Sequence, residues 1–107
     1  MKIYNKLVRD RIPEIIEADG KTPKVRILSE AEYKTSLLEK LVEEAKEALA
    51  TKGDQKELAK EIGDIQEVID ASVEAFKLDR SQIETLKQKR KTDRGGFEKK
   101  LFLESTK

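Results

Sequence analysis

Residues 36–76 read SLLEKLVEEAKEALATKGDQKELAKEIGDIQEVIDASVEAF, and this stretch decides the fold. Its first half has apolar residues at helical spacing, which predicts a core stripe of Leu37, Leu38, Leu41, Val42, Ala45, Ala48 and Leu49. Gly53 is a predicted helix stop and Asp54 a predicted N-cap. A second helical series follows, with Leu58, Ile62, Ile65, Ile69 and Phe76. The stretch therefore predicts two long helices joined by a short turn, as an antiparallel helical hairpin.

Local signals place the other elements. Ser29 and Glu32 form a capping-box pattern that opens the first long helix. A short helix is predicted to begin at Asp10, as its cap, with Pro13 in the first turn and Gly20 as the stop. Residues 24–28 (KVRIL) suit a short extended piece, residues 82–93 a third helix ended by residues 94–96, and residues 97–103 a short extended tail. The fold class predicted is all-α, with residues 1–107 as a single domain.

The composition restricts the chemistry that this chain can perform. Charged residues make up 42% of the 107 residues, and there is neither cysteine nor histidine. Disulfides, thiolate sites and imidazole ligands are therefore excluded, which leaves carboxylates, Lys, Arg, hydroxyls or a bound metal. Residues 1–11 lack the apolar core of a signal peptide, and no apolar run reaches membrane-spanning length, so a soluble cytoplasmic protein without a membrane partner is expected.

Charge is sorted along the chain although the formal net charge is only +1. Residues 39–70 carry ten acidic and five basic side chains, whereas residues 86–100 carry seven basic and two acidic ones. An acidic middle with basic flanks suits a polyphosphate ligand bridged by a metal ion. No stable nucleic-acid partner is expected, because the basic stretch lacks interleaved aromatic residues and the acidic middle would repel a phosphate backbone.

Two carboxylate pairs have helical i, i+3 spacing: Glu44 with Glu47, and Glu61 with Asp64. Side chains three positions apart lie on one helix face. The two pairs are also equidistant from position 54, inside the predicted turn, so they should lie at the same height in a hairpin. Four converging carboxylates repel one another unless a cation lies among them, and oxygen ligands favour Mg²⁺, Mn²⁺ or Ca²⁺.

A solvated acidic face is the alternative interpretation of these carboxylates. It would be supported by helical ion pairs with lysine, for which the sequence offers three candidates: Lys40 with Glu44, Lys60 with Asp64, and Glu43 with Lys46. Spacing alone leaves the metal site and the solvated face equally open.

The series Glu43–Glu44–Ala45–Lys46–Glu47, followed by Glu61–Ile62–Gly63–Asp64, resembles the EExxE…ExxD motif of the MazG-like all-α NTP pyrophosphohydrolases. Residues 4–16 (YNKLVRDRIPEII) and residues 94–97 (RGGF) resemble the compact house-cleaning branch of that superfamily, which is related to phosphoribosyl-ATP pyrophosphohydrolase. The superfamily uses a four-helix core. Because this chain offers only one long hairpin, a homodimer or a dimer of dimers is expected to complete that core.

The resemblance implies Mg²⁺ (or Mn²⁺) bound by Glu44, Glu47, Glu61 and Asp64, with Glu43 or a ligand such as Glu44 acting on the attacking water. The implied reaction hydrolyses a nucleoside triphosphate to the monophosphate and pyrophosphate. The basic flanks supply candidate phosphate-binding residues, namely Lys6, Arg9, Arg11, Lys89, Lys91, Arg94, Gly95 and Gly96. Two other functions stay open: phosphoribosyl-ATP hydrolysis, and a helical dimerisation or interaction module without catalysis.

Overall fold

The computed structural model describes residues 1–107 and contains four α-helices and no β-strand. The helices are α1 (Ile12–Ala18), α2 (Glu30–Ala50), α3 (Gln55–Ala75) and α4 (Arg80–Arg94). The all-α prediction is thereby confirmed. The chain divides into two compact units, Met1–Phe76 and Lys77–Lys107, which are described separately. None of the four helices combines the length and the apolar character that crossing a bilayer requires.

Side-chain caps fix the ends of the two long helices. The Ser29 hydroxyl accepts a hydrogen bond from the Glu32 backbone N–H, and the Glu32 carboxylate accepts one from the Ser29 N–H, both at 3.2 Å. This is the predicted capping box. Gly53 has φ +85°, a left-handed conformation that glycine adopts without strain. Asp54 then caps α3 by accepting a hydrogen bond from the Glu57 N–H at 3.0 Å. Both turn assignments are confirmed.

Two helix starts differ from the prediction. Helix α1 begins at Ile12 with Arg11 as the N-cap, and no side chain caps it, so the assignment of Asp10 as cap is wrong. Helix α4 begins at Arg80 and not near residue 82. Asp79 explains the earlier start, because its carboxylate accepts hydrogen bonds from the Ser81 and Gln82 backbone N–H groups and satisfies the first turn.

Helices α2 and α3 pack against each other across the short turn of residues 51–54 and form the core of the first unit. Its buried apolar residues are Leu37, Val68 and Val73, at 3%, 8% and 7% exposure. The predicted stripe on α2 is only partly right. Leu37 is buried and Leu41 and Ala48 are half-buried, whereas the remaining members are exposed: Leu38, Val42, Ala45 and Leu49.

Helix α3 shows the same split between a covered and an uncovered apolar face. Leu58 and Ile65 are half-buried, whereas Ile62, Ile69 and Phe76 are exposed. A helix with one neighbour can bury only the stripe that faces it, and these apolar surfaces are wider than that stripe. The sequence pattern therefore encodes more burial than one α2–α3 pair provides.

In the second unit, helix α4 ends at Gly95, whose φ of +84° breaks the helix. The following residues have no helix or strand, and the Lys100 N–H donates to the Phe97 carbonyl at 3.1 Å, so the predicted extended tail begins with a turn instead. All side chains of this unit are exposed, including Phe97 and Phe102.

Candidate metal centre

Three of the four predicted metal ligands come together between α2 and α3. Glu44, Glu61 and Asp64 each offer a carboxylate oxygen, and these atoms all lie within 4.8 Å of one another. Helix packing explains the arrangement, since the i, i+3 spacing of Glu61 and Asp64 places both on the side of α3 that meets Glu44 of α2. The site is thus a product of the helix pair.

The environment of Glu44 distinguishes this cluster from an ordinary acidic surface. Glu44 is 6% exposed, and it and Ser72 are the buried polar residues of the chain. Its Oε2 atom is buried with no hydrogen-bond partner, and the same holds for Oε2 of Glu61. A buried carboxylate oxygen without a partner is strongly unfavourable, because it has lost water and gained nothing in exchange. Two such oxygens in one carboxylate cluster fit the ligand set of a hard cation.

Glu47 belongs to a second, overlapping group with Glu43 and Glu44, whose ligand atoms also lie within 4.8 Å of one another. Glu44 is common to both groups. Glu47 is exposed, but its negative charge acts on Glu61. The fourth predicted ligand therefore lies at the margin of the cluster formed by the other three.

The negative charges raise the pKa of Glu61. Burial of its carboxylate is the largest cause, followed by the close approach of the Glu44 carboxylate and the charges of Glu47 and Asp64. A cation placed among these groups would reverse that effect by favouring their ionised forms.

Glu43 has the opposite balance. Burial raises the pKa of its carboxyl group, but the hydrogen bond from Lys6 and the charge of Lys40 outweigh that effect, and the pKa is lowered overall. The Glu43 Oε1 atom lies 3.2 Å from Lys6 Nζ and 3.3 Å from Lys40 Nζ. Glu43 is therefore ionised and firmly held at neutral pH. A held, ionised carboxylate suits a role in orienting water better than a role as a strong base.

The predicted ion pairs between lysines and the clustered carboxylates are only partly present. Lys40 pairs with Glu44 at 3.4 Å, as expected, and it also contacts Glu43. Lys60, expected beside Asp64, lies 3.6 Å from Glu57 instead. The Lys40 side chain is only 16% exposed, so its ammonium group is a partly buried component of the site and not a surface charge.

Arg9, predicted to bind phosphate, contacts the acidic cluster itself. Its Nη2 donates to Oδ1 of Asp64 at 2.9 Å, and its Nη1 lies 3.5 Å from Oε1 of Glu67. Lys6 likewise contacts Glu43. Arg11 donates to Glu14 of α1 and is exposed. Two of the three N-terminal basic candidates thus lie at the cluster, and Glu67 joins the site as a residue that the sequence analysis had not selected.

The other predicted phosphate-binding residues belong to the second unit. Lys89, Lys91 and Arg94 are exposed on α4, and Lys89 pairs with Asp93 at 2.8 Å. Beside Gly96 lies the Glu98 carboxylate, 2.6 Å from where a Cβ would stand. A carboxylate at that position would repel an anion at the Gly95–Gly96 backbone. The predicted phosphate-binding residues of the second unit therefore have weaker physical support than Lys6 and Arg9.

An open cleft of about 450 Å³ leads from the cluster toward the turn. It is lined by Glu47, Ala50, Thr51, Asp54, Glu57 and Glu61. No lysine or arginine lines it, so the cleft attracts cations and repels uncompensated anions. A polyphosphate could enter it only together with cations.

Comparisons with known proteins add little to this geometry. No described protein family matches the chain, and no solved structure matches it. A protein of Mycolicibacterium smegmatis (strain ATCC 700084 / mc(2)155), described as uncharacterized, is 57% identical over 44 residues. The match covers 41% of this chain and 45% of that protein, so the chain spans less than half of its relative in this comparison. The resemblance to MazG-like enzymes stays a prediction from the motifs.

Proposed function

We propose that this protein is a divalent-cation-dependent hydrolase of nucleoside triphosphates, with Mg²⁺ as the cation and a monophosphate and pyrophosphate as products. The observation that carries the proposal is the buried Glu44 carboxylate, which shares a cluster with Glu61 and Asp64 while one oxygen of Glu44 and one of Glu61 have no partner. A solvated acidic face would leave such oxygens in water.

The ligand chemistry supports a hard divalent cation, and a nucleotide substrate favours Mg²⁺ or Mn²⁺ among these. The cluster offers only carboxylate oxygens, which are the donors that hard divalent cations prefer. Glu44, Glu61 and Asp64 would hold the cation, with Glu47 as a further ligand from the margin. Such a cation supplies Lewis-acid polarisation of a phosphate and of the attacking water.

The protein's own side chains account for positioning. Lys6 and Lys40 hold the Glu43 carboxylate, so it can accept a hydrogen bond from a water in a fixed direction. Lys40 also sets the position of Glu44 through the 3.4 Å ion pair. Fixed geometry of this kind lowers the entropic part of the activation barrier. Glu43 and Glu44 are accordingly the proposed catalytic residues.

The choice of substrate rests on the motif resemblance described above, together with the separation of acidic and basic residues along the chain. Phosphoribosyl-ATP is the related alternative, because it presents the same α–β phosphate linkage. We assign the activity to the cytoplasm, where these nucleotides are found.

The proposal includes a homodimer as the smallest complete unit. On α2 the exposed residues Leu38, Val42, Ala45 and Leu49 recur at intervals of four, three and four positions. On α3 and its C-cap, Ile62, Ile69 and Phe76 recur every seven positions. These are the spacings by which helices pack in bundles. A second α2–α3 pair of the same sequence would cover both stripes and complete a four-helix core.

The experiment that tests the activity is a panel of nucleoside triphosphates with Mg²⁺, monitored for pyrophosphate release. We expect at least one substrate to be turned over and the Glu61→Gln variant to lose at least a hundredfold in kcat/KM, which corresponds to about 2.7 kcal/mol of transition-state stabilisation. Glu74→Gln, an exposed position on the same helix that lies outside the cleft lining, is the matched control. Absence of pyrophosphate release from every substrate would leave the non-catalytic interaction module, which the exposed apolar stripes would then explain.

A further inference from the structure

The segment that precedes α1, residues 1–11, contacts both long helices at the acidic cluster, and we call it the N-terminal strap. Lys6 binds Glu43 of α2, while Arg9 binds Asp64 and Glu67 of α3. The Lys6–Glu43 contact joins residues that are 37 positions apart in the sequence, and the Arg9–Asp64 contact joins residues that are 55 positions apart. The strap therefore supplies two cations from outside the helix pair.

The strap is partly buried between its two cations. Leu7 and Val8 are half-buried, whereas residues 1–6 and 9–11 are exposed. The Arg9 carbonyl accepts a hydrogen bond from the Ile12 N–H at 3.1 Å, which joins the end of the strap to the start of α1. The Arg9 guanidinium is thus presented to Asp64 from the residue that leads directly into α1.

Asp64 is the residue at which the strap and the cation site overlap. Its Oδ1 accepts the 2.9 Å hydrogen bond from Arg9, and an oxygen of the same carboxylate belongs to the group that it forms with Glu44 and Glu61. A divalent cation bound there would lie close to the guanidinium, and like charges a few ångströms apart repel strongly in a partly dehydrated site. Both cations draw on the same limited negative charge.

We propose that the N-terminal strap is an internal competitor for the divalent cation: Arg9 occupies Asp64 in the metal-free protein and leaves it when the cation binds. The inference rests on the proposed metal site but goes beyond it, because it assigns Arg9 a role in the metal-free state. Once released, the Arg9 guanidinium is available to a phosphate group of the incoming substrate. Cation binding thereby prepares the anion-binding group, and an anion is not attracted before the cation is present.

The test is a Mn²⁺ titration of the full chain, followed by calorimetry, for the wild type and two variants. Arg9→Gln removes the competing guanidinium. Arg11→Gln is the matched control. It removes the same charge only two residues from Arg9, but Arg11 pairs with Glu14 of α1 and not with the acidic cluster. We expect Arg9→Gln to bind Mn²⁺ roughly threefold to tenfold more tightly, the range for losing one or two partly exposed ion pairs. Arg11→Gln should change the affinity by less than about twofold.

A second measurement follows the strap directly. Trypsin cleavage after Lys6, which both proteins retain, should become faster when Mn²⁺ is added to the wild type, and the Arg9→Gln variant should be cleaved fast with and without the ion. Acceleration by Mn²⁺ in the wild type would not arise if Arg9 only stabilised the fold.

The outcomes separate the two proposals. Equal or weaker Mn²⁺ binding by Arg9→Gln, with normal binding by the wild type, overturns the competition and leaves the metal site standing. Binding by Arg9→Gln where the wild type binds no ion supports the competition in its strongest form. No binding by any of the three proteins overturns both the competition and the metal site.

Discussion

Replacing Glu61 by glutamine should have opposite effects on the metal-free and the metal-loaded protein. Glutamine keeps the shape of the side chain but removes its charge. Glu61 faces Glu44 and is repelled by Glu47 and Asp64, and no lysine or arginine pairs with it. We therefore expect the metal-free variant to melt at a higher temperature than the wild type at pH 7.5, while losing most of the stabilisation that Mg²⁺ provides.

The magnitude for the wild type follows from mass action. A cation that binds only the folded state adds about 2.7 kcal/mol at a concentration one hundred times its Kd. For a domain of this size class, 1 kcal/mol shifts the melting temperature by roughly 4–8 °C, so Mg²⁺ should raise it by roughly 10–20 °C. Loss of one of three converging ligands should reduce that shift to a small fraction.

The pH dependence has a definite sign. Because the pKa of Glu61 is raised in the folded protein, the folded state holds a proton that the unfolded chain releases at lower pH. Metal-free wild type should therefore lose stability as the pH rises from about 4.5 through the raised pKa of Glu61. The Glu61→Gln variant lacks this loss, so the two melting temperatures should converge at low pH and separate at neutral pH.

Differential scanning calorimetry of chelator-treated protein, with and without MgCl₂ at pH 4.5 and 7.5, measures all of these effects. Glu74→Gln makes the same change of charge at an exposed position of the same helix, outside the cleft lining. The reasoning would be refuted if Glu61→Gln lowered the metal-free melting temperature, or if it kept the full Mg²⁺ shift that Glu74→Gln should keep.

Three further predictions concern other parts of the first unit. Val42→Lys should convert the proposed homodimer to a monomer in sedimentation experiments, because it places a charge in the exposed apolar stripe of α2. A dimer that persists in the variant would exclude that stripe as the interface. Gly63→Ala should stabilise the metal-free chain by about 1 kcal/mol in urea unfolding, since no atom lies within 4 Å of the added methyl group, and destabilisation would show a close neighbour that the single chain lacks. The Arg26 and Ser29 contacts lower the pKa of Glu32 to about 2, so this residue should add stability above about pH 5 that is lost as the pH falls toward 2. The melting temperature of Glu32→Gln should lack this contribution to the pH dependence. A parallel fall of the melting temperature with pH in the wild type and the variant would contradict the prediction.

Local interactions were the part of the fold that could be predicted from the sequence. The Ser29–Glu32 capping box and the Asp54 cap each involve residues three positions apart, so the sequence contains both partners of each hydrogen bond. Helix starts without a side-chain cap are harder. Arg11 forms no capping hydrogen bond, and the adjacent Asp10 is a better cap by residue type although the helix does not use it.

The sequence predicted which residues form the apolar faces of the helices, but not how many neighbouring helices cover those faces. The apolar pattern of α2 identified Leu37 correctly, but it also placed Leu38 and Val42 in the core, where they are 49% and 54% exposed. Periodicity reports the width of an apolar face and not how many elements cover it. The excess width is itself information, since it predicts a partner for each helix beyond the one that the single chain supplies.

The carboxylates of the site could be predicted from the sequence, whereas the contacts of its basic residues could not. Glu44, Glu61 and Asp64 are placed by helical periodicity and by their distances from one turn, which are both countable. The strap obeys no such rule. The contact of Arg9 with Asp64 depends on how residues 1–11 lie across the helices, and a sequence separation of 55 residues leaves that contact undetermined.

The distribution of charge in the site favours a cation over a solvated acidic face. Six carboxylates face three cations, the former being Glu43, Glu44, Glu47, Glu61, Asp64 and Glu67 and the latter Lys6, Arg9 and Lys40. The cations pair with the carboxylates on one side, and Glu47 and Glu61 on the other side, next to the cleft, are left without any. Repulsion is therefore concentrated where two oxygens are buried without partners and where a solvent path leads in. A divalent cation entering by the cleft would relieve that repulsion first at Glu61 and Glu44. It would meet Arg9 only at Asp64. We therefore expect Asp64 to be the last of the three carboxylates to bind the divalent cation, because Arg9 competes for it.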